Sequence, residues 1–424
     1  MRSVVSKEKS RQMLDVDALR ADFPFLQTQG PVDAKSREPL HYLDNAASTQ
    51  KPERVIEAIS DCYRNHYAPI HRGLYPLAED ASSRYERSRA TIASFIGAPR
   101  AQQLVFTRSA TESINMVARG WMQAHLKPGD QIWVSRLEHH SNFLPWQAIC
   151  NETGAALRII EPDEDGTLNI EACAEELFSE RTKLIAITHV SNVLGLINPL
   201  AALIQQAKAA GIPVLVDAAQ SVGHIPVDVT ELDCDFLAFS AHKMFGPSGI
   251  GALYAKAEHL QTMEPLLLGG GMVDSVGEIR SEWAEYPEKF EAGSPNLAGV
   301  IGFAAAVDYI ESIGLGNMHQ HVSDLTRQAF AALSALEGVQ VYGPGGDQQT
   351  GIVSFTVDGI HPHDLGQIAG EQGVAIRAGH HCCQPLMQFL GTAATARASF
   401  APYNTTQDID ALVRAIESAK AIFS

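Results

Sequence analysis

The chain contains no run of about 18 uninterrupted apolar residues, so no membrane-spanning helix is expected. Its first 17 residues are polar and charged, without the apolar core of a secretory signal. Positive charge is also short: 32 Lys and Arg face 49 Asp and Glu, and the resulting formal charge of −17 opposes binding to a phosphate backbone. Nucleic acid and membrane therefore drop out of the expected partners. Six cysteines in 424 residues, without regular spacing, do not make a disulfide framework and suit a reducing compartment. Internal repeats and low-complexity segments are missing as well. These absences point to a cytoplasmic globular protein, and 45% hydrophobic residues suffice for a substantial core. A single core stops growing near roughly 250–300 residues, so two domains are expected.

What is present is a regular alternation. Short β-rich runs at 104–108, 131–136, 157–161, 184–190 and 214–218 alternate with helical patterns, among them 111–126, 143–153 ending at Gly154, and 199–210 ending at Gly211. Such alternation predicts a parallel sheet with helical crossovers. Open α/β sheets bind ligands at the C-terminal ends of their strands, which directs attention to the loops after Arg108, Arg136, Val190 and Ala218. Two further strands, 236–239 and 250–254, flank Ser240-Ala241-His242-Lys243 and the turn Gly246-Pro247-Ser248-Gly249. Glycine and proline around 269–271 and 291–295 then interrupt regular structure ahead of helices at 297–313 and 317–336 and a strand at 351–357. A second domain is expected to begin near the second of these helices and to hold a helix at 364–372, a strand at 375–378 and a final helix at 406–422. The chain thus divides into an N-terminal arm (1–40), a large domain (41–310) and a small domain (311–424).

One segment departs from ordinary cysteine surroundings. Arg377-Ala378-Gly379-His380-His381 runs into Cys382 and Cys383, placing a thiol among imidazoles and a guanidinium. Cations favour the thiolate, the form that attacks, whereas apolar burial suppresses it. Cys62, Cys150, Cys173 and Cys234, flanked by helix- and strand-forming residues, read instead as small buried hydrophobes. A metal site is not expected at 380–383, because four contiguous ligands do not wrap a tetrahedral ion easily.

A second constellation lies in the large domain. Val216-Asp217-Ala218-Ala219-Gln220 sets a carboxylate at the end of an apolar strand, and Lys243, with His242 beside it, stands just past another. Pyridoxal phosphate needs a lysine amine for its Schiff base and a carboxylate to keep the pyridine nitrogen protonated. Asp217 and Lys243 fit those roles. Ser109-Ala110-Thr111-Glu112 offers N–H groups and a hydroxyl at a helix start for the phosphate, and reads equally as a capping box. Glu138-His139-His140-Ser141-Asn142 supplies an imidazole able to stack on the ring.

These segments, with His189-Val190-Ser191-Asn192-Val193-Leu194-Gly195, resemble the class V branch of the fold type I pyridoxal phosphate enzymes. Arg377 to Cys382, with Arg397-Ala398-Ser399, narrows the resemblance to group II cysteine desulfurases of the SufS type. It runs from Tyr42-Leu43-Asp44-Asn45-Ala46-Ala47 to Tyr403-Asn404-Thr405. The resemblance implies an α/β fold with a mostly parallel seven-stranded sheet in the large domain, a smaller α+β C-terminal domain carrying the nucleophilic cysteine, and an arm packed with the small domain. Lys243 then matches the Schiff-base lysine, Asp217 the partner of the pyridine nitrogen, Gln220 the donor to the ring hydroxyl and His139 the stacking imidazole. Ala110, Thr111, Ser240 and His242 match phosphate-binding positions, and Ser294 matches a hydroxyl that reaches the phosphate of the neighbouring subunit. Asn192 and Arg397 match residues that hold the substrate carboxylate, while His71 and Arg377 match further active-site positions.

The implied reaction converts L-cysteine to L-alanine and leaves the sulfur on Cys382 as a persulfide for iron–sulfur cluster assembly. The implied partners are a second copy of the chain and a sulfur acceptor of the SufE or SufU type. Selenocysteine lyase and cysteine sulfinate desulfinase are the rivals within the fold, and a non-catalytic sulfur carrier or scaffold is the rival from another class. Cys383 stands where the family pattern carries alanine, and reads as a tolerated small residue or as a second sulfur-handling thiol.

Overall fold

The computed structural model of the protein describes residues 14–27 and 40–423. Its larger sheet has seven strands: β1 (Leu104–Thr107), β2 (Gln131–Ser135), β3 (Ala156–Ile160), β4 (Thr182–Thr188), β5 (Val214–Asp217), β6 (Phe236–Ser240) and β7 (Gly251–Ala255). They lie in the order β1-β7-β6-β5-β4-β2-β3. β7 runs antiparallel to both its neighbours, and the remaining pairs are parallel. The short excursion from Ser240 to Gly251 explains the reversal, since a parallel return needs a crossover of a dozen or more residues.

Both faces of this sheet are covered, so its central strands are apolar throughout rather than alternating. Ile185, Ile187, Val214, Val216, Leu237 and Phe239 point into one core, while Leu184, Ala186, Leu215, Phe236 and Ala238 point into the other. The helix Leu297–Ile313 is buried over most of its surface, and its Phe303 meets Phe239 edge-on at 5.8 Å. No single helix among the described residues is long and apolar enough to cross a membrane.

A second sheet holds β8 (Val339–Tyr342), β9 (Ile352–Val357), β10 (Arg377–Gly379) and β11 (Thr395–Ser399) in the order β8-β9-β11-β10, all antiparallel. Helices Leu315–Ser334, Pro362–Glu371 and Thr406–Phe423 supply its core through Leu325, Leu365, Leu412 and Ile416 against Val353 and Phe355. The two long helices meet at Gly314, whose φ of 92° suits a residue without a side chain, and bend there by 78°.

Of the arm, residues 1–13 and 28–39 lie outside the described residues. The helices Val16–Ala21 and Pro24–Gln27 pin Phe23 against Tyr403 at 4.7 Å and against Phe245 and Tyr309 at 5.8 Å each. The arm therefore joins both halves of the molecule.

Two elements differ from the sequence expectation. The strand expected at 375–378 is divided: Val374–Ala375 pairs in parallel with His41–Tyr42, and Arg377–Gly379 pairs with β11, so the chain changes sheets between them. The helix expected at 111–126 is α-helical over Ala110–Val117 and then widens into a π-turn over Ala118–Met122. Here the Glu264 N–H donates to Gly120 O at 2.8 Å, and a Cβ on Gly120 would lie 2.2 Å from Glu264 O, so only glycine admits this backbone.

Candidate active site

The strand ends of the larger sheet and the inner edge of the smaller one enclose a cavity of about 300 Å³. β6 delivers Ser240, and a single 3₁₀ turn, Ala241–Lys243, carries the chain on to Lys243. That turn is held from behind: His224 Nε2 donates to Lys243 O at 2.8 Å, and the Thr49 N–H and Lys51 Nζ donate to His242 O at 3.1 and 3.0 Å. Asp217 ends β5 beside Thr188 of β4, fully buried, with Oδ1 accepting from the Ala219 N–H at 3.0 Å.

Burial pushes the Asp217 carboxyl up, against the pull of the Ala219 N–H and Lys243. Burial likewise brings the Lys243 amine down to about 8, opposed by Asp217 and Cys382 and reinforced by Arg397 and Arg377. Each group is thus short of a compensating charge of the right sign.

Ser109 caps the helix Ala110–Val117 through an Oγ that accepts from the Glu112 N–H at 3.4 Å. The Ala110 N–H donates to Ser240 Oγ at 2.8 Å, tying the helix start to the lysine strand. Gly251 permits this closeness, since a Cβ there would lie 2.7 Å from Ser109 Cα. Thr111 Oγ1 is 2.7 Å from Ser141 Oγ, whose own N–H donates to His139 Nδ1 at 3.0 Å. Nδ1 is therefore an acceptor, and the neutral ring carries its proton on Nε2. Burial first, then the charge on Lys243, holds the His139 imidazole at about 3, so it is neutral at physiological pH.

The smaller sheet contributes two guanidiniums. Arg377 and Arg397 are direct cross-strand partners on β10 and β11, an arrangement that like charges disfavour. Asp44 offsets it: Oδ1 and Oδ2 accept from Arg377 at 3.0 and 2.9 Å, and Oδ1 accepts from Arg397 Nη2 at 3.3 Å. Arg397 Nη1 donates to Asn192 O at 2.7 Å, while its buried Nε has no partner among the described residues. Burial lowers the Arg397 guanidinium to about 10, against the pull of Asp44.

Past β10 the chain turns through His380 and His381 to Cys382, which is exposed and lines the same cavity. Cys383 is its opposite. It is fully buried, its Sγ donates to Leu137 O and Glu138 O at 3.4 and 3.1 Å, and burial pushes its thiol well up. Cys62, Cys150 and Cys234 are buried too, and Cys173 is half-buried.

The cavity brings together Ala110, Thr111, His139, Asn192, Asp217, Gln220, Ser240, His242, Lys243, Arg377, Cys382 and Arg397. His71 and Ser294 are not among its lining. They meet around a separate cavity of about 420 Å³ formed by 67–72, 270–271 and 293–295. A larger open hollow of about 950 Å³ lies at the other ends of the strands, around Trp121, Lys208 and His259. There Lys183 pairs with Asp130 and Lys256 with Asp235.

Three residues of the site were given no role of their own in the sequence. Asp44 bridges the arginines, Glu138 lies buried beneath His139, and His140 touches the cysteine segment. Glu138 accepts from Ser135 Oγ, Asn142 Nδ2 and the Thr188 N–H at 2.5, 2.7 and 2.9 Å, which fixes the loop bearing both histidines. Only the run of polar residues after Arg136 hinted at such a loop.

A buried amine and a buried carboxylate share this cavity with a capped helix start, hydroxyls and a neutral imidazole. That donor set fits a cationic heterocycle bearing a phosphate, which would satisfy Asp217 and give the helix start its anion. Fold and site define a pyridoxal phosphate-dependent enzyme. The chain belongs to the aminotransferase class-V family, whose model matches residues 41–412. It is 49% identical over 385 residues to a probable cysteine desulfurase of Halalkalibacterium halodurans, covering 91% of this chain and 94% of the relative. It is 46% identical over 420 residues to a cysteine desulfurase of Haloferax volcanii, covering 97% and 98%. Among solved structures, the cysteine desulfurase CsdA of Escherichia coli, in an S-sulfonic acid form, superposes with a TM-score of 0.88 at 38% identity, covering 97% of this chain and all of that one.

Proposed function

We propose that the protein is a cysteine desulfurase in which Cys382 takes the sulfur of L-cysteine and L-alanine departs. The observation that carries this reading is that an exposed thiol from the smaller sheet lines the same cavity as the half-buried Lys243 and the buried Asp217 of the larger one.

Bound pyridoxal phosphate supplies the electron sink that acidifies the substrate Cα–H and loosens its Cβ–S bond. Lys243 would hold it, Asp217 would face its ring nitrogen, His139 would lie over the ring, and Thr111, Ser240 and His242 would take the phosphate. The Lys243 amine, near 8, is basic enough to accept the Cα proton yet loses its own readily. Arg397, with a donor still to place, and Asn192 would orient the substrate carboxylate. The Cys382 sulfur then bonds to the substrate sulfur as the Cβ–S bond breaks. The electron pair of that bond stays with carbon, and protonation completes alanine. Sulfur is oxidised to the persulfide level as Cβ is reduced to a methyl, so no outside oxidant is required.

An exposed persulfide can be unloaded to another protein, which supports a SufE- or SufU-like acceptor and use of the sulfur in iron–sulfur assembly. Homodimer formation is supported by the exposed apolar side chains of Tyr67, Leu74, Tyr75 and Leu268, carried by or adjoining in sequence the segments that line the cavity around His71 and Ser294. Six free thiols fit a reducing compartment such as the cytoplasm.

The test is Cys382→Ser. Alanine formation and protein persulfide are expected to fall together by at least roughly 100-fold while the visible absorbance of the bound cofactor persists. Undiminished turnover would refute the nucleophile.

A further inference from the structure

His381 and Cys382 have φ of 50° and 54°, a backbone region that residues with side chains seldom occupy, and here two stand in succession. Such a turn persists only where its surroundings hold it. The holders come from the large domain. Asn192 Nδ2 donates to His381 O at 2.8 Å, and the His140 N–H donates to Cys382 O at 2.7 Å. Leu137 O and Glu138 O accept from Cys383 Sγ. His140 Nε2 then accepts from the Gln384 N–H at 3.2 Å, at the first residue of the helix Gln384–Phe389. One short loop, 137–140, thus grips three successive residues, Cys382, Cys383 and Gln384.

The His140 ring also lies 5.6 Å from the His380 ring, whose Nδ1 accepts from the Cys382 N–H at 3.0 Å. Burial, then the neighbouring His380, holds the His140 imidazole below its usual range and favours the neutral ring. The Gln384 N–H aimed at Nε2 makes that nitrogen the acceptor and leaves the ring proton to Nδ1. Since Gln384 opens the helix, its N–H is one of those no earlier turn can satisfy, and His140 serves as a cap supplied from another domain.

We propose that His140 is a positioning residue for sulfur transfer: its imidazole and main-chain N–H together set where the Cys382 thiol stands, without touching substrate. The proposal rests on Cys382 being the nucleophile. It predicts that the side chain acts on the attacking step and leaves substrate binding alone.

The test compares His140→Leu and His140→Gln holoenzymes by hydrogen exchange of the 380–390 segment and by steady-state kinetics with L-cysteine. His140→Leu removes the acceptor, so amide exchange at the start of the Gln384–Phe389 helix is expected to quicken roughly tenfold. kcat should fall by a similar factor, with KM changing less than about twofold. His140→Gln offers an amide oxygen near the position of Nε2 and should restore both protection and kcat. Unchanged exchange and kcat in His140→Leu would overturn the proposal, as would a raised KM at constant kcat, which marks substrate contact. Should the leucine variant not fold, His140→Gln decides alone: near-normal protection and kcat support the proposal, and loss of both in a folded protein refutes it. Exchange does not depend on turnover, so an active Cys382→Ser variant would sink the nucleophile assignment while leaving the exchange result standing.

Discussion

Lys243 and Cys382 face one cavity and are built in opposite ways. Lys243 follows a strand flanked on both sides by buried strands, and its turn is tied down through His224, Thr49 and Lys51. Cys382 follows the edge strand of the smaller sheet, exposed, on a left-handed turn held by a few contacts from loops of the larger sheet. An anchor must not move, and burial also lowers the amine into a useful range. A sulfur that attacks and is later unloaded needs reach. Under the proposed reaction, the difference between the two regions is a division of labour, and each half can be broken separately.

The largest effect is expected on the rigid side. Lys243→Ala should remove the visible absorbance of the tethered cofactor and lower turnover by roughly 10⁴-fold, because one residue is both holder and base. An unchanged spectrum would show that another amine is the anchor. Next comes the carboxylate between the two arginines. Asp44→Ala leaves Arg377 and Arg397 directly opposed with no carboxylate between them. It should raise KM for cysteine roughly tenfold with a smaller change in kcat, as expected for misplaced carboxylate donors, and steady-state kinetics checks this.

The acid limb of stability sharpens the contrast. His139 titrates near 3 in the folded chain against about 6.5 unfolded, so the unfolded state binds the extra proton first. Its contribution is intact above pH 6.5 and is lost as pH falls toward 3, about 2 kcal/mol by pH 5. Urea midpoints from pH 7 to pH 5 should therefore fall less steeply in His139→Gln. An identical slope would place the acid sensitivity elsewhere. The smallest effect belongs to the other thiol: Cys383→Ala should cost about 1 kcal/mol of stability for the emptied buried space and leave kcat within about twofold. A larger loss of persulfide transfer would make Cys383 a participant.

The rigid side was also the legible one. Asp217, Gln220, Ser240, His242 and Lys243 sit in short runs at strand ends, where local pattern and chemistry coincide, and all line the cavity. Cys382 stood out through the imidazoles and guanidinium beside it in sequence, and it lines the same cavity. Asp44 and His140 could not. Their roles arise from contacts with Arg377 and Gln384, more than 240 residues away, and no local pattern records such a meeting. Cys383, read as a tolerated small residue or a second sulfur-handling thiol, proves fully buried, whereas Cys382 is exposed. The reversal of β7 escaped the alternation rule because direction depends on connection length rather than on composition. His71 and Ser294, assigned by resemblance, lie around a different cavity, on segments that also carry exposed apolar side chains.

The most direct test of the account follows a single turnover. The cofactor-loaded protein is mixed with one equivalent of L-cysteine, quenched, and analysed peptide by peptide for added sulfur, with alanine measured in the same sample. The account predicts one extra sulfur atom on the peptide holding Cys382, on that thiol alone, matched by one alanine. Alanine formed with Cys382 unmodified, or with the sulfur found on Cys383, would contradict it.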